Sequence, residues 1–310
     1  MKNLILPAFV LAVSACNNQK SSTSTAAPAA MPAAASATAS AQASAPLAAG
    51  AAPAASAGPT SSADDTSADK PALYTVYGVA ADDVLNVRAE PDAASKKVYS
   101  YTPEVKGIRG TGRQLEKANT PWTEVAFEGG TGWVNRAYLL EMPAGGGCND
   151  PNLAAAIRAF MSAVTTSDGT ALKAAVSPLR GLQISESQSS PAVRIGVAQV
   201  ENLFTSSTSQ KWGTARDGTT PIVGPFKTIA LPSLRRSILA KGAKEKCGQL
   251  LVGGSSPSYS WPAQYAKMTM VSFYDASEAD RSQWASWVAG MEYVNGKPYV
   301  AALVGYSAEI

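Results

Sequence analysis

The sequence predicts a multidomain fold: a small all-β barrel, then an α+β domain with a curved antiparallel sheet, both behind a low-complexity N-terminal segment. Three observations carry this. Short apolar or alternating runs separated by glycine and acidic turns fill residues 73–139. Helical spacing starts immediately after Asp150-Pro151, and the dipeptide Asn295-Gly296 stands between two long apolar runs. The chain has 310 residues, enough for two ordinary domains, yet only 16% are charged, against about 25% in typical globular proteins. Part of it is therefore low in complexity. The net charge of +3 names no partner. There is no histidine. That excludes Ser-His-Asp and Cys-His nucleophile pairs, His-ligated zinc and a histidine pH switch, and leaves carboxylate pairs, Ser-Lys dyads and simple binding.

Taken in order, residues 1–15 read as a signal peptide. Lys2 precedes an apolar run from Leu4 to Val13, broken only by Pro7, which is too short to cross a bilayer. The run ends in Val13-Ser14-Ala15-Cys16, which resembles a bacterial lipobox. The resemblance implies that Cys16 carries the lipid and becomes the first mature residue, anchoring the protein to a membrane. Asn17, where some bacteria place an aspartate that retains lipoproteins in the inner membrane, favours the outer membrane facing the periplasm. Residues 16–72 contain no aromatic side chain and are mostly Ala, Ser, Thr and Pro. Such a composition cannot offset its ordering entropy and predicts a disordered tether, roughly 40 Å in root-mean-square span. With Cys16 acylated, Cys148 and Cys247 remain, an even pair for an oxidising compartment. A disulfide is expected, two unpaired thiols being the alternative.

Residues 73–143 form the first expected folded unit. Strands are predicted at Leu73–Val79, Leu85–Arg88, Lys97–Tyr101, Trp122–Phe127 and Thr131–Val134. The basic stretch Lys106–Arg113 lacks the Gly-Lys-Ser/Thr ending of a phosphate-binding loop and is expected to be a loop between strands. Leu85-Asn86-Val87-Arg88-Ala89-Glu90-Pro91, then Trp122-Thr123-Glu124-Val125, then Gly130-Thr131-Gly132-Trp133-Val134-Asn135-Arg136-Ala137-Tyr138-Leu139, closely resemble the bacterial SH3 domain. Glu90 departs from the glycine common at that turn. The resemblance implies an SH3-like barrel that binds cell-wall peptide, peptidoglycan or a protein partner. Tyr77, Tyr99, Tyr101 and Trp122 are candidates for an open aromatic groove that docks extended peptide.

Pro143–Gly147 marks the next boundary, and 148–310 the α+β domain. Asp150 and Pro151 supply an N-cap and a first-turn proline for a helix whose apolar face is Leu153, Ile157, Phe160 and Val164. A short helix follows around Leu172–Val176, and another spans Leu231–Leu239. Arg235, Arg236, Lys241, Lys244 and Lys246 read as a solvated face. The runs Trp287–Val294 and Pro298–Tyr306 form a hairpin about Asn295-Gly296, with Met268–Tyr274 as a third strand and Cys247 in the loop before the sheet. This order of elements resembles the nuclear-transport-factor-two-like or cystatin-like cone, in topology alone.

Glu292 and Asp275 are the carboxylates a wall hydrolase could use, and Ser207/Lys211 and Ser237/Lys241 miss the spacing of a Ser-x-x-Lys dyad. The aromatic group around Trp261, Trp284 and Trp287 reads as core. The expectation is a non-catalytic cell-envelope lipoprotein whose barrel binds peptidoglycan, cell-wall peptide or a periplasmic protein, with no cofactor, no metal and no nucleic acid. An accessory or inhibitory protein acting on a wall enzyme through residues 148–310 is the alternative, followed by a carboxylate-based wall hydrolase.

Overall fold

The computed structural model describes residues 71–215, 218–253, 259–275 and 284–307. The expected signal peptide, Cys16 and the tether up to residue 70 lie outside the described residues. What is described is an α+β arrangement, mostly antiparallel sheet with few helices.

The first sheet is built from β1 (Leu73–Val76), β2 (Leu85–Arg88), β3 (Lys97–Tyr101), β4 (Lys106–Lys117), β5 (Thr120–Phe127), β6 (Gly130–Asn135) and β7 (Leu139–Glu141). Their order is β3-β2-β6-β5-β4-β1-β7, all antiparallel. One apolar core gathers side chains from all seven strands, Tyr74, Val76, Val87, Tyr101, Ile108, Val125, Val134 and Leu139 among them, so the sheet curls about it. The curl stays open: among the described residues no ladder joins β3 to β7, and a closed barrel is not formed. The stretch expected to be a loop, Lys106–Arg113, is instead the first half of β4. Its glycines conceal it. Gly110 is where the Tyr74 ring packs, and a Cβ there would stand 2.7 Å from the ring.

After a short turn at Gly147–Asn149 come α1 (Pro151–Thr166) and α2 (Gly169–Ala175). Asp150 accepts the Asn152 N–H at 2.9 Å, capping α1, and Leu153, Ile157, Phe160 and Val164 are buried at the spacing the sequence shows. At the other end Arg235 donates to the carbonyls of Val164 and Thr165, which have no partner within the helix. The second sheet uses β8 (Leu182–Ser185) and β9 (Val193–Ile195). Then follow α3 (Val197–Val200), the separate hairpin of β10 (Gln210–Thr214) and β11 (Pro221–Gly224), α4 (Phe226–Ile229) and α5 (Leu231–Leu239). β12 (Lys244–Cys247), β13 (Thr269–Asp275), β14 (Ala285–Val294) and β15 (Lys297–Ser307) complete the chain.

The six strands run β12-β13-β14-β15-β8-β9. The β14–β15 hairpin turns at Asn295-Gly296 as expected, both residues at positive φ (52° and 75°), the conformation that favours this pair. Two details differ from expectation. β15 pairs with β8 in parallel, so the sheet is not wholly antiparallel. Cys247 ends the edge strand β12, opposite Val271, instead of lying in a loop. The Cys148–Cys247 disulfide, with Cα atoms 5.7 Å apart, therefore ties the start of the α+β part to a sheet edge.

β14 is buried along nearly its whole length because both faces of the sheet are covered. Trp287, Ala289 and Met291 pack with α1, α2 and α5 in one core, while Val288, Ala302 and Val304 pack with Tyr265, Met268, Leu140 and Tyr77 in another. Leu140 is on β7 of the first sheet, and Tyr77 directly follows β1. The two sheets share a core, and the described residues belong to one compact unit.

Candidate functional site

The first sheet carries an open cleft of about 620 Å3. Alternation on β2 sends Leu85 and Val87 into the core and leaves Asn86 and Arg88 half-buried, both lining the cleft. Trp122 on β5 forms a wall and is 5% exposed. Asn135, at the end of β6, accepts the Ala137 N–H at 2.9 Å and caps the turn Arg136–Tyr138, which presents Tyr138 at the rim, 42% exposed. Val84 is a second large apolar residue exposed there.

Charge in the cleft is balanced. Arg88 donates to the Ser95 carbonyl at 2.7 Å, and Lys117 meets Asp92 at 2.9 Å. The Ala94 N–H and then Lys117 hold the Asp92 carboxyl below the usual carboxylate range. An apolar and aromatic wall beside amides and paired charges suits an extended peptide, which presents both kinds of group.

The four aromatic residues proposed from the sequence do not share one groove. Trp122 is in the cleft. Tyr99, 41% exposed on β3, stacks on Phe127 at 5.0 Å and meets Tyr101 edge-on at 5.1 Å, while Tyr101 itself is buried and donates to the Ala126 carbonyl. Tyr77 lies in the core shared by the two sheets. Asn135 and Tyr138 stand in the third sequence block, where nothing local separates a site residue from one that serves the fold. Their capped turn, closing on an exposed aromatic, is the signal that marks them as site residues.

Behind the cleft is a buried ionic junction. Arg180 meets Glu292 at 2.5 Å, donates to the carbonyls of Ala137 and Leu139 at 2.5 and 2.6 Å, and lies 4.9 Å from the centre of the Tyr77 ring. Glu292 also accepts the Ser177 hydroxyl. A second buried pair, Arg136 and Glu141 at 3.1 Å, sits on the first sheet, and Glu141 accepts the N–H groups of Asn295 and Gly296. Lys267 donates to the carbonyls of Val76 and Pro103. Charge-assisted hydrogen bonds thus join the two parts beside their shared apolar core.

Burial pushes the Tyr77 phenol up to about 12, more than Arg180 lowers it. In the unfolded chain a tyrosine ionises near 10, so from about pH 10 to about pH 12 only the unfolded state loses this proton. The stabilisation is complete below pH 10 and is lost as pH rises towards 12, up to roughly 3 kcal/mol for a gap of about two pH units. Burial likewise raises Tyr265, Tyr293 and Tyr306. Urea midpoints measured from pH 9 to 12 are expected to fall steeply, and Tyr77→Phe to shallow the fall. An unchanged slope in Tyr77→Phe would count against this assignment.

The carboxylates weighed for hydrolysis have other partners: Glu292 those just described, and Asp275 the guanidinium of Arg236 at 3.3 Å. Arg236, Lys241, Lys244 and Lys246 are exposed, as a solvated face requires, while Arg235 is half-buried and engaged with the end of α1. Among the described residues no group of three or more Cys, Asp or Glu stands together as a metal site, and no helix is long and apolar enough to cross a membrane. Fold and site together define an α+β chain of two large sheets and a separate two-stranded hairpin, with an open cleft on the first sheet. No family model, no curated protein and no solved structure matches the chain.

Proposed function

We propose that this chain is a non-catalytic cell-envelope lipoprotein, anchored through Cys16 at the outer membrane facing the periplasm, whose SH3-like first sheet binds peptidoglycan or cell-wall peptide in the cleft. One observation carries the reading. The three sequence blocks that resemble the bacterial SH3 domain, distant along the chain, converge on this cleft: Asn86, Arg88 and Pro91 from the first, Trp122 from the second, Asn135 and Tyr138 from the third. A lipid anchor and an Ala/Ser/Pro-rich tether fit it physically, because tethering raises the effective concentration of a weak binder near the wall.

The test is cosedimentation of the full chain with insoluble peptidoglycan. Saturable binding is expected, weakened about fivefold or more by Tyr138→Ala, the cost of removing a contact worth over 1 kcal/mol. Tyr99→Ala reports on the exposed β3 surface. No saturable binding, or a larger loss with Tyr99→Ala than with Tyr138→Ala, would overturn the cleft as the wall-binding site.

A further inference from the structure

We propose that Arg180, contributed by the α+β part, is a positioning residue for the cleft on the first sheet, so that docking of the two sheets and ligand binding are one coupled equilibrium. This rests on the reading of the cleft as the binding site.

The geometry is specific to one residue. The two carbonyls that Arg180 holds, those of Ala137 and Leu139, flank Tyr138, the exposed aromatic of the cleft rim. The Tyr138 carbonyl between them accepts the Tyr77 N–H at 2.9 Å. Tyr77 carries its ring under the Arg180 guanidinium, and the next residues, Gly78 and Val79, line the cleft. A single guanidinium therefore grips two segments of the cleft wall from behind, one through main-chain oxygens and one through a ring. Its own orientation is set outside the first sheet. Glu292 takes the Nε–H, and the Arg180 N–H closes a turn on Ser177 Oγ at 2.9 Å. The arrangement needs a planar fork with several donors in fixed directions, which a lysine ammonium does not have.

The consequence is reciprocal. If Arg180 favours the binding-competent wall, then occupation of the cleft favours the docked junction by the same factor, and a partner that displaces Arg180 from the α+β side weakens wall binding.

The experiment uses the full chain as wild type, Arg180→Lys, Tyr138→Ala and the double variant. Asp150→Ala, which removes the α1 cap, serves as a comparator for general destabilisation. Two quantities are read: amide exchange, and affinity for insoluble peptidoglycan. In Arg180→Lys the amides of Tyr77 and Leu139 are expected to exchange about tenfold faster while those of β5 stay as in wild type, and peptidoglycan affinity to fall about fivefold or more. In the Tyr138→Ala background the same substitution is expected to add little. Asp150→Ala is expected to leave the Tyr77 and Leu139 amides protected. Unchanged exchange at those two amides in Arg180→Lys would overturn the proposal, as would an equal loss of affinity in both backgrounds. Failure of the wild-type chain to bind peptidoglycan would instead overturn the function proposed above, and exchange alone would then decide the positioning role.

Discussion

Replacing Glu292 with leucine is expected to cost about 3–5 kcal/mol, read as a large fall in the urea midpoint with little change in slope. Glu292 is 2% exposed on β14 and supplies the carboxylate that meets the Arg180 guanidinium. Removing it leaves a cation in a shared apolar core, with the desolvation cost retained and the attraction gone. Arg180→Met alone is expected to be similarly damaging, since it takes the cation from a buried carboxylate and a donor from the Ala137 carbonyl. The paired variant Arg180→Met/Glu292→Leu should recover part of the loss, because a buried ion pair replaced whole by apolar groups is often close to neutral. Recovery stays partial, as the Ala137 carbonyl still loses the Arg180 donor, whereas that of Leu139 keeps Arg136 at 3.3 Å. A double-mutant cycle gives the coupling directly. Additive losses would show that the pair does not act as a unit.

Loss of the disulfide is expected to be the second large effect. Cys148→Ser/Cys247→Ser should lower stability by about 2–4 kcal/mol, as should reduction of the wild-type chain. The bond closes a loop with a sequence separation of 99 and so removes much freedom from the unfolded chain. Its native-state role is local. β12, Lys244–Cys247, is an edge strand with β13 as its one partner and mostly exposed side chains, and the disulfide pins its last residue. Amide exchange in β12 should therefore rise more than in β14. Thermal unfolding with and without reductant checks the magnitude, and equal midpoints would refute it.

The elements legible in the sequence are those whose signals are local. Asp150-Pro151 caps a helix with its own side chain, Leu153, Ile157, Phe160 and Val164 share a face by spacing alone, and Asn295-Gly296 has the backbone freedom its turn requires. What escaped depends on distant partners. β8 and β9 are four and three residues long, and β8 is a strand because it lies beside β15. β12 reads Lys-Glu-Lys-Cys, charges suited to a sheet edge and indistinguishable in sequence from a solvated turn. β4 was hidden by Gly107, Gly110 and Gly112, which mark bends and close packing against Tyr74. The cleft is half legible: Trp122 stands out as a bulky aromatic, whereas Tyr138 is marked only by the capped turn that exposes it. The ionic junction was invisible, because Arg180 sits in a turn-like Ser-Pro-Leu-Arg-Gly stretch and meets a carboxylate 112 residues later.

The tip of the β14–β15 hairpin has a further implication for anyone rearranging this chain. Two-residue hairpin turns are ordinarily among the most permissive places to open a protein, for new termini, an inserted tag or a grafted epitope. Here both amides of that turn are already spoken for by Glu141, a carboxylate from the other sheet. A cut or insertion at Asn295-Gly296 would withdraw the donors from a buried acid as well as loosening the turn. Tolerance to splicing must be sought elsewhere, and an unoccupied look at the surface of a sequence diagram is a poor guide to where this fold can be parted.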